Sequence, residues 1–181
     1  MDIDNAEIGR TRRLTRWGGP VDAASGLRPR RGSGARAGAA MIGGNEISLP
    51  SRWRRSSDPE HGVLVTARSP QTGASGVLPL IRLEIEPVHS TLQQWREDDL
   101  GATATRRTAF ELHDKDDDEL HGWEVAYRRF GFRRGDDELV CEQWAWLVDG
   151  VGFTLTCTVG RADYPDYCDL FEAVADTFEP G

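Results

Sequence analysis

The densest set of potential ligand atoms in this chain is one acidic run. Asp114-Lys115-Asp116-Asp117-Asp118-Glu119 places five carboxylates within six residues. A calcium loop of the EF-hand type needs glycine at its sixth position and glutamate at its twelfth, one to turn the chain and one to close the ligand shell. Counted from Asp114, those positions hold Glu119 and Val125. The run is therefore read as a solvated hairpin loop whose like charges repel.

The other reactive residue types give no stronger constellation. His61, His89, His113 and His121 form no HxH, HExxH or HxxxH pattern. His113 and His121 flank the acidic run, where they could meet Asp114 at a pH-sensitive or metal-binding site; a solvent-exposed pair is the favoured reading. Cys141, Cys157 and Cys168 are odd in number and lack CxxC spacing, which argues against a disulfide framework and a zinc site alike. Cys141 and Cys157 fall on apolar strands and read as buried free thiols. No GxSxG elbow occurs, and Thr72-Gly73-Ala74-Ser75-Gly76 lacks the Gly-Lys-Ser/Thr of a phosphate loop. The expectation is a non-enzymatic protein with no catalytic residue, metal or cofactor. The alternative is a small-molecule-binding domain or enzyme with a sheet–helix pocket where His113, His121 and Glu142 converge, with Arg128 beside them.

The elements that would carry these residues follow from periodicity. Glu46–Leu49 alternates as a first strand stopped by Pro50, with Trp53 as a core anchor. Residues 62–67 make a second strand. Val77–Val88 makes a third, with Leu83 and Ile85 alternating against Arg82, Glu84 and Glu86, Pro79 suggesting an edge or bulge, and Pro87 ending the ladder. Ser90–Leu100 reads as a helix capped by Ser90 or Thr91 and stopped by Gly101. Four strands follow, over 103–113, 121–132, 139–148 and 151–159. Asp149-Gly150 forms a tight turn because both residues tolerate positive φ. A last helix, 163–178, carries Leu170, Phe171, Val174 and Phe178 at helical spacing, with Asp163 as its cap and Pro165 in its first turn. Clustered strands with few helices give an α+β domain built on a largely antiparallel sheet.

Charge divides the chain unevenly. Residues 1–40 hold eight arginines and four carboxylates, a net of +4, while the whole 181-residue chain carries −8, leaving −12 for the rest. Residues 1–44 are expected as a disordered basic tail and 45–179 as one domain, with Met41 a second candidate start of translation. An acidic domain has no electrostatic attraction to nucleic acid. No stretch approaches the ~20 apolar residues of a transmembrane helix, and no apolar run follows Arg12-Arg13 as a signal peptide requires. A cytoplasmic location is expected.

Two aromatic pairs are the candidate partner-binding residues. Trp144 and Trp146 share one face of their strand, opposite Leu139, Cys141, Ala145 and Leu147. Phe130 and Phe132 lie nearby. Core packing is the simpler reading; an exposed tryptophan stripe would instead anchor a protein partner. An exposed sheet edge could also support a homodimer.

One resemblance emerges from these residues. Ile47-Ser48-Leu49-Pro50-Ser51-Arg52-Trp53 resembles the opening hydrophobic-x-x-Pro-x-x-Trp strand of a bacterial family of unknown function related to the LpqN lipoproteins and the PsbP-like fold. The resemblance extends through Gln143, Gly150, the strand Thr154-Leu155-Thr156-Cys157-Thr158, and the closing helix with Tyr164, Tyr167, Phe171 and Phe178. It implies a curved, largely antiparallel sheet of six to seven strands flanked by two main helices, a PsbP-like α/β/α sandwich. It also implies a non-enzymatic, protein-binding or chaperone-like role, since relatives include effector-associated secretion chaperones. The partner would be a protein, including a secreted effector. The chain departs from the lipoproteins in lacking a lipobox cysteine.

Overall fold

The computed structural model describes the backbone of residues 37–42 and the whole of residues 45–181. The strands are β1 (Ala37–Ile42), β2 (Asn45–Pro50), β3 (Arg54–Asp58), β4 (Val63–Arg68), β5 (Leu80–Pro87), β6 (Thr108–Leu120), β7 (Trp123–Arg134), β8 (Asp137–Val148) and β9 (Val151–Gly160). Helix α1 (Leu92–Arg106) joins β5 to β6, and α2 (Tyr164–Ala175) follows β9. Seven strands form one antiparallel sheet in the order β3-β4-β5-β9-β8-β7-β6. β1 and β2 form a separate hairpin. β2 is tied to the C-terminal segment, with Ser48 N donating to Thr177 Oγ1 at 2.9 Å and Glu179 N to Glu46 O at 3.2 Å.

Residues directly opposite one another in a ladder share a face. Tyr127, Trp144 and Leu155 are aligned this way, and Trp146 aligns with Phe153. α2 covers this face with Phe171 and Val174, and Phe178 just beyond it meets Trp146 edge-on at 4.8 Å. The other face presents Ala126 and Ala145 to Leu92 and Trp95 of α1. Gly152 makes that contact possible, because a Cβ there would lie 2.6 Å from the Trp95 ring. A second cluster on the same side joins Val77, Phe130, Phe132, Leu139 and Cys141. The helices thus sit on opposite faces, and the α+β sandwich expected from the sequence is the fold.

Several local expectations change. α1 runs through Gly101 to Arg106, so the strand expected from residue 103 begins at Thr108. The acidic run is not a hairpin loop. It lies within β6, where Asp114 to Glu119 pair in register with Arg129 to Glu124 of β7. The turn falls at His121-Gly122, with φ of 54° and 83°, and the foreseen Asp149-Gly150 turn has the same signs at 50° and 78°. β3 has no counterpart in the sequence reading. Asp163 does not cap α2 with its side chain. Its buried carboxylate instead accepts from Ser75 N at 3.2 and 3.3 Å and from Ser75 Oγ, pinning the β4–β5 connection to the start of α2. The basic tail expected over 1–44 lies outside the described residues, apart from the strand at 37–42.

Candidate functional site

Two polar clusters interrupt the core, one beneath each helix. Beneath α2, Glu142 of β8 stands opposite Arg129 of β7 and Cys157 of β9. Tyr127 Oη and Tyr164 Oη both donate to Glu142 Oε1 at 2.8 Å. Arg129 Nη1 donates to Tyr164 Oη at 3.1 Å, with its guanidinium 5.6 Å from the Tyr164 ring centre. Glu142 Oε2 is buried and has no hydrogen-bond partner among the described residues. Desolvation pushes the Glu142 carboxyl above the usual carboxylate range, against the two tyrosine hydrogen bonds that favour the anion. Burial and the neighbouring Glu142 raise Tyr127, and burial raises Tyr164, so both phenols stay protonated and act as donors.

Beneath α1 the cluster is cationic. Arg128 of β7 donates from Nε to Gln143 Oε1 at 2.7 Å, from Nη1 to Arg96 O at 3.4 Å, and from Nη2 to Asp99. Arg96 donates to the same Gln143 oxygen at 3.1 Å and to Thr154 Oγ1 at 3.4 Å, and its Nη1 lies 3.4 Å from Asp99 Oδ2. Arg96 and Arg128 are 6% and 3% exposed. Burial, then the adjacent Arg128 charge, hold Arg96 down to about 10. Gln143 and the threonines of β9, read from the sequence as structural, serve here to carry hydrogen bonds between buried arginines; Gln143 Nε2 donates to Thr156 Oγ1 at 2.9 Å.

The residues singled out from the sequence are dispersed. Trp144, Trp146, Phe130 and Phe132 are 7%, 0%, 2% and 7% exposed, so their rings are covered by the protein itself. The register also separates the pairs, Trp144 and Trp146 on the α2 face and Phe130 and Phe132 on the α1 face. Glu142 and Arg128 likewise point to opposite faces. His113 lies beside Glu111 at 3.3 Å and packs over Gly131, while His121 meets Asp176 O at 2.6 Å. The two histidines and Glu142 do not converge. Cys141 and Cys157 are buried free thiols, with burial pushing Cys141 up to about 12. Among the described residues no group of histidine, cysteine and carboxylate side chains could hold a metal ion. Nor is any helix among them long and apolar enough to cross a membrane.

Tyr127, Tyr164, Arg96 and Asp99 were not read as members of a site. One signal was present: an arginine between Ala126 and Phe130, on the apolar face of β7, requires a buried partner.

No protein-family model matches the chain, and no curated protein matches it. Solved structures do. The cyanobacterial PsbP of Synechocystis sp. PCC 6803 superposes with a TM-score of 0.61 at 16% identity, over 86% of this chain and 98% of its own. LpqN of Mycobacterium tuberculosis, involved in cell envelope biogenesis, gives 0.61 at 11% identity, over 80% and 91%. PA94 of Pseudomonas aeruginosa, of unknown function, gives 0.60 at 15% identity, over 80% and 97%. At these identities the likeness establishes a PsbP-like fold.

Proposed function

We propose that the protein is a non-catalytic, cytoplasmic adaptor that holds an extended segment of a protein partner. The role is chaperone-like and linked to secretion, as the resemblance to effector-associated secretion chaperones implies. The observation that supports it is the outer strand of the sheet. β6 spans 13 residues, is paired on one side by β7, and has no strand beyond it among the described residues. An outer strand offers backbone donors and acceptors to an added strand, and its side chains select the partner. Here they are Glu111, Asp114, Asp116, Asp117, Asp118 and Glu119 against one Lys115. The complementary occupant is a basic extended segment. Trp144, Trp146, Phe130 and Phe132 are buried within the protein itself.

The test uses the full chain and a fluorescein-labelled, arginine-rich extended peptide. Binding is expected to be salt-dependent and to slow hydrogen exchange along β6. The pair Asp117→Lys and Glu119→Lys, both on the exposed part of the strand, is expected to weaken it by about tenfold or more. Equal binding by the charge-reversed protein, or no added protection in β6, rejects the reading.

A further inference from the structure

The cationic cluster beneath α1 opens onto a cavity of about 80 Å³ between α1 and the β6–β7 hairpin. Arg96 and Arg128 line its inner end, with Leu100 and Ala126 as apolar walls. A buried charge is stable only when it is paired and hydrogen-bonded. Arg96 and Arg128 share the carboxylate of Asp99, which the exposed Arg106 also approaches at 3.8 Å, so three guanidiniums meet one carboxylate. Glu86, which accepts from Trp95 Nε1 at 3.1 Å, adds a second negative charge near Arg96. Each terminal guanidinium nitrogen carries two hydrogens. Arg96 Nη2 uses one on Gln143, and Arg128 Nη1 and Nη2 use one each, on Arg96 O and Asp99. One hydrogen on each of these three nitrogens therefore takes no part in these bonds.

We propose that this cavity binds the carboxylate of a small organic monoacid, its oxygens on Arg96 and Arg128 and its short hydrocarbon part against Leu100 and Ala126. Paired guanidiniums match a planar carboxylate. The volume corresponds to roughly two or three water molecules, which limits the ligand to a short chain. The mouth sets the charge. Glu97 there is paired with Lys115, but Asp117 also lines the opening and disfavours a ligand of higher negative charge. The low value held by Arg96 has the same origin as the site, since burial and Arg128 outweigh Asp99 and Glu86. Asp117 of β6 also lines this cavity, but the carboxylate is held by Arg96 and Arg128, so the proposal does not rest on the adaptor reading.

The experiment titrates the full chain with sodium acetate at ionic strength matched by sodium chloride, reading the Nε–Hε resonances of Arg96 and Arg128. Saturable shifts of both are expected. Leu100→Trp, which fills the cavity from a half-exposed helix position, is expected to weaken binding by tenfold or more. Asp117→Asn is expected to strengthen it by about two- to threefold. Unsaturated shifts indistinguishable from those of chloride overturn the proposal in the unmodified protein, whatever the variants do. Equal affinity for inorganic phosphate overturns the assignment to a carboxylate, and undiminished binding by a folded Leu100→Trp overturns the location.

Discussion

Glu142 shows how burial and hydrogen bonding compete at a single residue. Its Oε1 receives two phenolic hydrogens while its Oε2 receives none among the described residues. Desolvation outweighs both bonds, and the folded-state value lies above that of the unfolded chain. The folded protein therefore keeps this proton where the unfolded chain has lost it. Stability falls as pH rises from the ordinary carboxylate range to the raised value, then levels. Glu142→Gln cannot ionise and keeps an oxygen for both tyrosines. Relative to wild type, it is expected to gain stability between pH 4 and pH 8. Urea denaturation at the two pH values measures this, and a pH-independent difference would contradict the assignment. Trp146 poses a different single-residue question. It is fully buried against Phe178, and its indole N–H has no partner among the described residues. Trp146→Ala should cost about 3–5 kcal/mol. Trp146→Phe should cost clearly less, because it also removes the unsatisfied donor. For this reason a partner-binding assay on Trp146→Ala would report unfolding rather than contact, and a denaturation curve is the appropriate readout.

At the scale of elements, α1 is where local sequence signals conflict. Thr91 caps it as expected, its Oγ1 accepting from Gln94 N at 3.2 Å. Gly101 reads as a stop, yet the helix continues through it for five more residues. Nothing lies within 4 Å of where a Cβ at Gly101 would stand. The helix is therefore set by the packing of Leu92, Trp95 and Arg96 on the sheet, and the glycine is a tolerated weakness. Gly101→Ala should raise stability by about 0.5–1 kcal/mol, read as a shift of the urea midpoint at constant slope. The same distinction explains what the sequence made legible. β7, β8 and β9 are buried by side chains on both faces, so their apolar, β-branched and aromatic content and their turn chemistry marked them, as Asp149-Gly150 did. All five residues of β3 are exposed, and β6 buries only Leu120; the strand expected over 103–113 reached the first half of β6, while β3 and the acidic half of β6 are strands because a neighbouring strand supplies the hydrogen bonds. Glu142 and Arg128 were visible as charges within strands. Their partners were not, because Tyr127, Tyr164, Arg96 and Asp99 are brought to them by tertiary packing.

At the scale of the whole molecule, the sheet has two ends, and each must be kept from pairing with another copy. β3 is short and shifts register between Ser56 and Asp58. β6 is long, with register shifts at Thr108/Glu111 and Leu112/Asp114, which leaves Asp114–Leu120 as its regular stretch. An antiparallel β6–β6 dimer would bring two copies of this stretch together, and like charges directly opposite are destabilising. The carboxylates are therefore expected to oppose a β6–β6 homodimer at this edge. Asp117→Asn, Asp118→Asn and Glu119→Gln together remove half of the β6 carboxylates with little change in side-chain shape. The triple variant is expected to self-associate more strongly than the wild type, and sedimentation equilibrium measures the difference. High salt should move the wild type in the same direction, since screening weakens exposed like-charge repulsion. A triple variant that stays monomeric at all concentrations, beside a wild type indifferent to salt, would show that bulges rather than charge close this edge.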